Sequence, residues 1–165
     1  MAHDSTRCTL RMALAPMAIA PMAIGAIDGM RSPTPADDHR LASLMYHAYL
    51  GTVDYHGETE AQALDEVRRT FAGEYGMFIW SASRVIDHGS MLASATLITR
   101  CQGKPFVAFS MTHVEFKRQG LARACLQSAI NQLLLEGEDE LRLVSTVAND
   151  GAMRLYESLG FVLEH

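Results

Sequence analysis

The chain has 165 residues, of which 48% are hydrophobic and 20% are charged, and its formal net charge is −5. This composition is typical of one globular domain with a sizeable core, and it excludes a disordered chain. The acidic balance argues against nucleic-acid binding, and the apolar runs are too short to predict a membrane span. Three widely spaced cysteines without a C-x-x-C pair fit free thiols in a reducing compartment, so we expect a cytoplasmic protein.

The beginning of the sequence is its least regular part. Arg7 and Arg11 precede an apolar stretch, an arrangement that resembles a secretory signal. Pro16 and Pro21 would break an apolar helix in that stretch, which argues against this interpretation. The alternative is an extension that is poorly ordered or packed at an edge of the domain.

The same stretch contains a short duplication. The sequence Ala-Pro-Met-Ala-Ile occurs at 15–19 and again at 20–24, and two copies of five residues do not make a repeat architecture. We therefore predict an N-terminal extension over residues 1–22 and a single domain over residues 23–165.

Helix signals dominate the next part of the chain. A short first strand is possible at 24–30, and Thr34-Pro35-Ala36-Asp37 then combines a capping residue, a proline at the first helical position and an acid at the positive helix end. Apolar residues at helical spacing predict a helix from Pro35 to Leu50. A capping-box pattern at 59–62 opens a second helix, which Gly73 closes.

Alternating and helical patterns follow in an order that predicts the fold class. Three strands joined by tight turns predict an antiparallel meander. The predicted elements after the second helix are strands at 77–84, 91–99 and 105–112, a helix at 121–135, a strand at 141–147, a short helix capped by Asn149 or Asp150, and a strand from Phe161. This order predicts an α/β (α+β) protein with a mixed, mostly antiparallel central sheet and helices on both faces.

The stretch from Lys117 to Arg123 carries the clearest chemical signal, because it follows a strand and opens a helix. The small residues Gly120 and Ala122 let the backbone approach a ligand, and the free N–H groups of a first helical turn attract phosphate. The stretch lacks both the Gly-Lys-Ser/Thr of a nucleoside-triphosphate loop and the G-x-G-x-x-G of a dinucleotide site. Taken alone, it could equally be a basic, solvated helix start.

Two motifs together resemble the GNAT superfamily of acyl-CoA-dependent N-acyltransferases. Lys117-Arg118-Gln119-Gly120-Leu121-Ala122 resembles the family signature Gln/Arg-x-x-Gly-x-Gly/Ala, with lysine at the first position. The segment from Ala148 to Phe161 resembles the family pattern Asn-x-x-Ala-x-x-Leu-Tyr-x-x-x-Gly-Phe at nearly every position. The two motifs stand in the family's order and at its separation, which makes the pair more specific than either motif alone.

The resemblance implies an N-acetyltransferase that moves an acetyl group from acetyl-CoA to a primary amine, by direct attack in a ternary complex and without a metal. Tyr156 would be the catalytic residue, protonating the departing thiolate as a general acid. Splayed strand ends would bind the pantetheine arm, and backbone amides of the basic loop would hold the pyrophosphate. The residues with these cofactor-binding roles would be Ser110, Met111, Thr112, Arg118, Gln119, Gly120, Leu121, Ala122, Arg123 and Asn149.

Candidates for acceptor binding lie elsewhere in the sequence. Asp54, Tyr55 and Glu58 belong to the loop between the first two helices, which often lines the acceptor pocket in this family. They could bind a cationic amine or be merely solvated, and His113 is a further candidate for the acceptor site or for the base. The acceptor would be a small molecule or a peptide, and the sequence leaves open which one.

Members of the family usually continue past Gly-Phe with a long strand and a final strand, whereas this sequence ends at His165. The predicted C-terminal strand is therefore short or missing, or the N-terminal extension or a partner subunit supplies it. An uncovered sheet edge favours pairing, so we expect a homodimer. The alternative function is a module of the same fold that binds or senses acyl-CoA without turnover.

Overall fold

A computed structural model describes residues 6–14 and 27–164. The duplication at 15–24 and the first three residues of the strand predicted at 24–30 lie outside the described residues. The rest of that prediction is wrong: residues 27–29 lead through a turn, in which the amide of Met30 donates to the carbonyl of Ile27 at 3.3 Å, and the strand begins only at Met30. Within the described ranges, no helix has the length and apolar character needed to cross a membrane.

One sheet forms the centre of the molecule, with helices on both faces, as predicted. The strands are β1 (Arg7–Ala13), β2 (Met30–Arg31), β3 (Met77–Phe78), β4 (Arg84–His88), β5 (Met91–Cys101), β6 (Lys104–Thr112), β7 (Glu140–Thr146) and β8 (Val162–Leu163). The helices are α1 (Asp38–Tyr49), α2 (Glu60–Phe71), α3 (Leu121–Leu135) and α4 (Asp150–Leu159), with single 3-10 turns at Pro35–Asp37 and Val114–Phe116. In the described residues the strand order is β2-β4-β5-β6-β7-β1-β8, and β3 pairs with β5 off this path.

The strand predicted over 77–84 is interrupted in the structure. β3 ends at Phe78, and a tight turn then leads into β4. Ser83 stabilises this turn, because its hydroxyl donates to the carbonyl of Ile79 at 2.8 Å and accepts from the amide of Ile98 at 2.9 Å. A side chain that satisfies two backbone groups allows the chain to leave the sheet at a buried position.

Apolar side chains on the two faces of the sheet form two large cores, and a smaller cluster contains Ile86, Ala93 and Cys125. Leu126, Ile130 and Leu133 of α3 pack with Tyr156 and Leu159 of α4 against one face. Residues of α1 and α2 pack against the other face, among them Leu41, Leu44, Val67, Leu97 and Met111. Each fully buried side chain of this size contributes roughly 1.5–3 kcal/mol of hydrophobic stabilisation.

The central strands β6 and β7 are parallel, but they separate along their length. Their pairing is limited to Phe106 opposite Arg142 and Val107 opposite Leu143. A register shift between β5 and β6 leaves Ala108 without a partner on β5 at the same level. Beyond that level the facing edges of β6 and β7 diverge, so a V-shaped opening with free backbone groups forms in the middle of the sheet.

Part of the predicted N-terminal extension is a strand of this sheet. β1 lies antiparallel to β7, with Arg7 opposite Thr146 and Ala13 opposite Glu140, and its other edge pairs with the short β8. Leu10 and Met12 alternate into the core and are almost fully buried. β1 therefore takes a place beside β7 and covers that edge. The domain boundary after residue 22 and the homodimer stay predictions.

Candidate active site

A cleft of about 1110 Å³ opens where β6 and β7 separate. Ser110 of β6 and Tyr156 of α4 line its inner end, and α1, α2 and the loop between them form one wall. The opposite wall includes the end of β7 and the first residue of β1. Six residues predicted for the site line this cleft together: Asp54, Tyr55, Glu58, Ser110, Asn149 and Tyr156.

Tyr156 is held at the inner end of the cleft by a well-defined helix. The side chain of Asn149 caps α4 by accepting from the amide of Ala152 at 3.2 Å, and Gly160 ends the helix at φ 102°. The Tyr156 ring is 8% exposed and packs edge-on against Phe161. Burial raises the pKa of Tyr156, the hydrogen bond with Ser110 lowers it, and the charge of Asp54 raises it. The net rise keeps the hydroxyl protonated at neutral pH.

Asp54 joins three elements around the cleft. One of its carboxylate oxygens accepts from the Thr146 hydroxyl at 2.6 Å, and the other accepts from the Asn149 side-chain amide at 3.2 Å. The loop between α1 and α2 is thereby tied to the end of β7 and to the start of α4. Both donors are neutral, so the negative charge of Asp54 is hydrogen-bonded but not cancelled.

The predicted phosphate-binding loop has the geometry expected at the start of α3. Gly120 stands at the N-cap with φ 78°, and no atom lies within 4 Å of the position that a Cβ would take there. Arg118 also has a positive φ of 62°, an uncommon conformation for a side chain of this type. Arg118, Gln119 and Gly120 are exposed, so the first amides of α3 can face a phosphate group.

The sequence profile described as "Acetyltransferase (GNAT) family" matches residues 44–161. The chain belongs to the GNAT family of acetyltransferases. Among curated proteins, it is 34% identical over 108 residues to "[Ribosomal protein bS18]-alanine N-acetyltransferase" of Escherichia coli K12, covering 65% of this chain and 71% of that protein.

Solved structures show the same fold. A GCN5-related N-acetyltransferase from Sphaerobacter thermophilus superposes with a TM-score of 0.71 at 16% identity over 96% of this chain, which spans only 48% of that longer chain. The PaiA N-acetyltransferase from Thermoplasma acidophilum, in complex with coenzyme A, superposes with a TM-score of 0.62 at 18% identity, covering 87% of this chain and 92% of that one.

Several residues predicted for the site of this GNAT protein lie away from the large cleft. Met111 is buried in the core beneath α1 and α2, and the Thr112 hydroxyl is 2.9 Å from that of Ser94. His113 stacks on His47 with a centroid distance of 5.0 Å and lines a separate small cleft. The loop at 118–123 does not line the large cleft either. Within it, the Arg123 guanidinium donates a hydrogen bond to the Ser158 hydroxyl on α4. The cofactor roles of these residues stay predictions.

Three residues at the cleft were missed by the sequence analysis. Thr146 holds Asp54, burial with nearby Tyr156 and Asp54 raises the pKa of the Tyr49 hydroxyl, and Arg7 enters from β1. Tyr49 and Thr146 were assigned only to a helix and a strand, and neither carries a motif. The alternation of polar and apolar residues from Arg7 to Met12 was a strand signal that could have brought Arg7 into consideration.

Proposed function

We propose that this GNAT protein transfers an acetyl group from acetyl-CoA to a primary amine by direct attack in a ternary complex. The observation that carries the proposal is the placement of the buried Tyr156, beside Ser110, in the lining of the cleft that opens where β6 and β7 separate. The E. coli relative is named as an alanine N-acetyltransferase, and the Thermoplasma structure contains coenzyme A, which supports an amine acceptor and this donor.

The residues of the chain fit acetyl-CoA, which would supply an activated thioester and a thiolate leaving group. The open backbone edge of β6 beyond Val107 would bind the pantetheine arm, since its partner strand has diverged. Amides from Gln119 to Arg123 would bind the pyrophosphate, helped by the charge of Arg118. Asn149 already uses both polar side-chain atoms within the protein, so its contact with pantetheine would require its bond to Asp54 to open.

Carboxylates in the cleft favour an acceptor that arrives as an ammonium ion. Asp54, Glu58, Asp65, Glu66 and Glu74 all line the cleft. Asp54 is the one whose charge reaches the hydroxyl of Tyr156, and only neutral donors hold it. We therefore assign to Asp54 the binding of the ammonium group, which loses one proton to solvent before the free amine attacks.

The chemical step is balanced by two proton movements. The amine nitrogen forms a bond to the acetyl carbon, the carbon–sulfur bond breaks, and the nitrogen loses its second proton to solvent. Tyr156 donates its proton to the departing sulfur and recovers one from solvent. Because its pKa is raised above the ordinary value of about 10, we expect the alkaline loss of activity only above roughly pH 10.

Release of free thiol from acetyl-CoA, measured against a panel of amines, tests the proposal. Tyr156→Phe should lower kcat by roughly 10²- to 10⁴-fold, the usual contribution of a positioned acid, and leave acetyl-CoA affinity nearly unchanged. Tyr75→Phe is the matched control, because the Tyr75 hydroxyl donates to Glu66 and not to the Tyr156 region. Unchanged kcat in the Tyr156 variant would remove Tyr156 as the acid. Binding of acetyl-CoA without thiol release on any amine would favour the non-catalytic module.

We also propose a cytoplasmic location and a homodimer. Cys8, Cys101 and Cys125 are free thiols in the structure, which supports a reducing, cytoplasmic location. A homodimer would have to use an edge other than the one that β1 covers, and the molar mass in solution would test it.

A further inference from the structure

The cleft contains three arginines with different surroundings. Arg69 pairs with Glu74 at 2.7 Å and with Glu66 at 3.8 Å, and Arg100 pairs with Glu138. Arg7 lines the same cleft, yet no carboxylate within residues 6–14 and 27–164 forms an ion pair with it. The cleft thus has one guanidinium group whose charge the described residues leave unpaired.

The register of β1 determines where this charge lies. Arg7 stands opposite Thr146, and directly opposed residues in antiparallel strands project to the same side of the sheet. Thr146 reaches from that side to Asp54, so Arg7 is next to the residue that holds Asp54. Cys8, the next residue, points the other way, with its sulfur 3.9 Å from that of Met153 on α4.

Electrostatics agree with this placement. Burial, Tyr156 and Asp54 raise the pKa of the Tyr49 hydroxyl, and the positive charge of Arg7 acts in the opposite direction. Arg7 and Asp54 therefore act on the same hydroxyl from the same end of the cleft, although they form no ion pair with each other. Opposite charges at the same end of a cleft suit a ligand that itself carries both charges.

We propose that Arg7 binds a carboxylate of the acceptor, so that the preferred acceptor is a primary amine with a carboxylate a few bonds from the reactive nitrogen. This inference rests on the proposed acetyl transfer. A guanidinium presents N–H groups in a planar fork that matches a carboxylate, whereas the ammonium group of the same molecule would face Asp54. Free amino acids and peptides with an acidic residue near the N-terminus share this chemistry.

Matched acceptors and variants test the inference. The first pair of acceptors is glycine, which has a free carboxylate, and glycinamide, which has none. The second pair is a short peptide beginning Ala-Asp and the matching peptide beginning Ala-Asn, and both of these peptides are amidated at the C-terminus. We expect kcat/KM to be at least about tenfold higher for the carboxylate member of one pair. The pair that shows this difference tells whether the acceptor is a free amino acid or a peptide. Arg7→Gln should raise KM for that member roughly 10- to 100-fold, as loss of a charged hydrogen bond predicts, and leave kcat and the KM of acetyl-CoA unchanged.

A residue on the same strand and the same face serves as the control. Arg11 is four residues from Arg7, pairs with Glu140 at 3.6 Å and does not line the cleft. Arg11→Gln should leave every KM unchanged, and Arg7→Lys should restore part of the preference. Thermal unfolding of both Arg7 variants should match that of the natural chain, because this side chain is exposed.

The outcomes separate this inference from the proposed function. Turnover of both members of each pair with equal KM, or an equal rise in KM for both on Arg7→Gln, would overturn the role of Arg7 and leave acetyl transfer intact. A raised KM for acetyl-CoA in the Arg7→Gln variant would instead mean that Arg7 binds acetyl-CoA, which would also overturn its proposed role in binding the acceptor. Thiol release with none of the amines would overturn the proposed function, and the inference would fall with it.

Discussion

Two carboxylates at opposite ends of α1 have contrasting surroundings. Asp37, just before the helix, accepts from both terminal nitrogens of Arg31 at 2.8 Å each, and its side chain is 6% exposed. Asp54, in the loop after the helix, accepts from the Thr146 hydroxyl and the Asn149 amide. The first charge is cancelled within the protein, and the second is held in place but left uncancelled. The first carboxylate therefore serves the fold, whereas the second keeps its charge for the ammonium group that we propose it binds.

The pairing around Asp37 extends to a second carboxylate. Arg31 also donates to Asp87 at 2.6 Å, and Arg40 reaches Asp87 at 2.7 Å. These contacts join β2, β4 and the start of α1. The hydrogen bond from Arg31 lowers the pKa of Asp37 to about 2, against the opposing effect of burial. An arrangement in which every charge has a partner stabilises one geometry and offers no charge to a ligand.

Among changes that test the contrast between Asp37 and Asp54, the largest expected effect is a loss of stability on removal of the cation beside Asp37. Arg31→Ala removes the two short hydrogen bonds to buried Asp37 and leaves it only the longer ion pair with Arg40 at 3.5 Å, so we expect the free energy of unfolding in urea to fall by about 2–4 kcal/mol. Arg68→Ala is the control, because Arg68 pairs with Asp38 at 2.9 Å but is 55% exposed. Its loss should cost less than about 1 kcal/mol. Equal losses for the two variants would show that burial of the pair is irrelevant.

Lowering the pH should weaken the Arg31–Asp37 pair as well, with a smaller loss of stability than Arg31→Ala. The pKa of Asp37 is lower in the folded chain, about 2, than its ordinary value of 3.8. Its stabilising contribution is therefore complete above about pH 4 and is lost as the pH falls through about 2, and it amounts to roughly 2 kcal/mol. Urea unfolding at several pH values should show a weaker acid dependence over that interval in Asp37→Asn. An unchanged slope in this variant would assign the acid sensitivity to other groups.

The smallest expected effect concerns Asp54 and falls on activity. Asp54→Asn removes the charge at nearly constant shape, so we expect KM for cationic amines to rise about tenfold, as for the loss of one charged hydrogen bond. The free energy of unfolding should change by about 1 kcal/mol or less, because its partners are neutral. Initial rates and urea unfolding on the same preparation would check both. A large loss of stability with an unchanged KM would make Asp54 a structural residue like Asp37.

Local signals made much of this fold predictable. The capping patterns at Thr34 and Thr59 and the glycine after α4 fix helix ends through contacts within a few residues. The motif around Tyr156 is also local, which is why its helix was predicted correctly and its place in the cleft followed from the family resemblance. Asp54 was named as a candidate because it belongs to the loop between the first two helices, which often lines the acceptor pocket in this family.

Contacts between distant parts of the chain were not predictable in the same way. The hydroxyl that holds Asp54 lies 92 residues further along the chain, so no local pattern reports it. β1 pairs with strands near the other end of the sequence, and its neighbouring arginines and apolar residues resembled a targeting segment. His113 follows β6 directly, but the 3-10 turn at Val114–Phe116 places it beside His47 and outside the large cleft.

The position of β1 has a consequence for the order in which the chain can fold. The ribosome makes this strand before every other described strand, but both of its neighbours, Glu140–Thr146 and Val162–Leu163, are made after the rest of the sheet. Until β7 emerges, Leu10 and Met12 have no sheet to enter, and closing so long a loop slows the pairing. The wall of the cleft that carries Arg7 therefore forms only after β7 has been made, so a nascent chain can form its antiparallel meander well before that wall is complete.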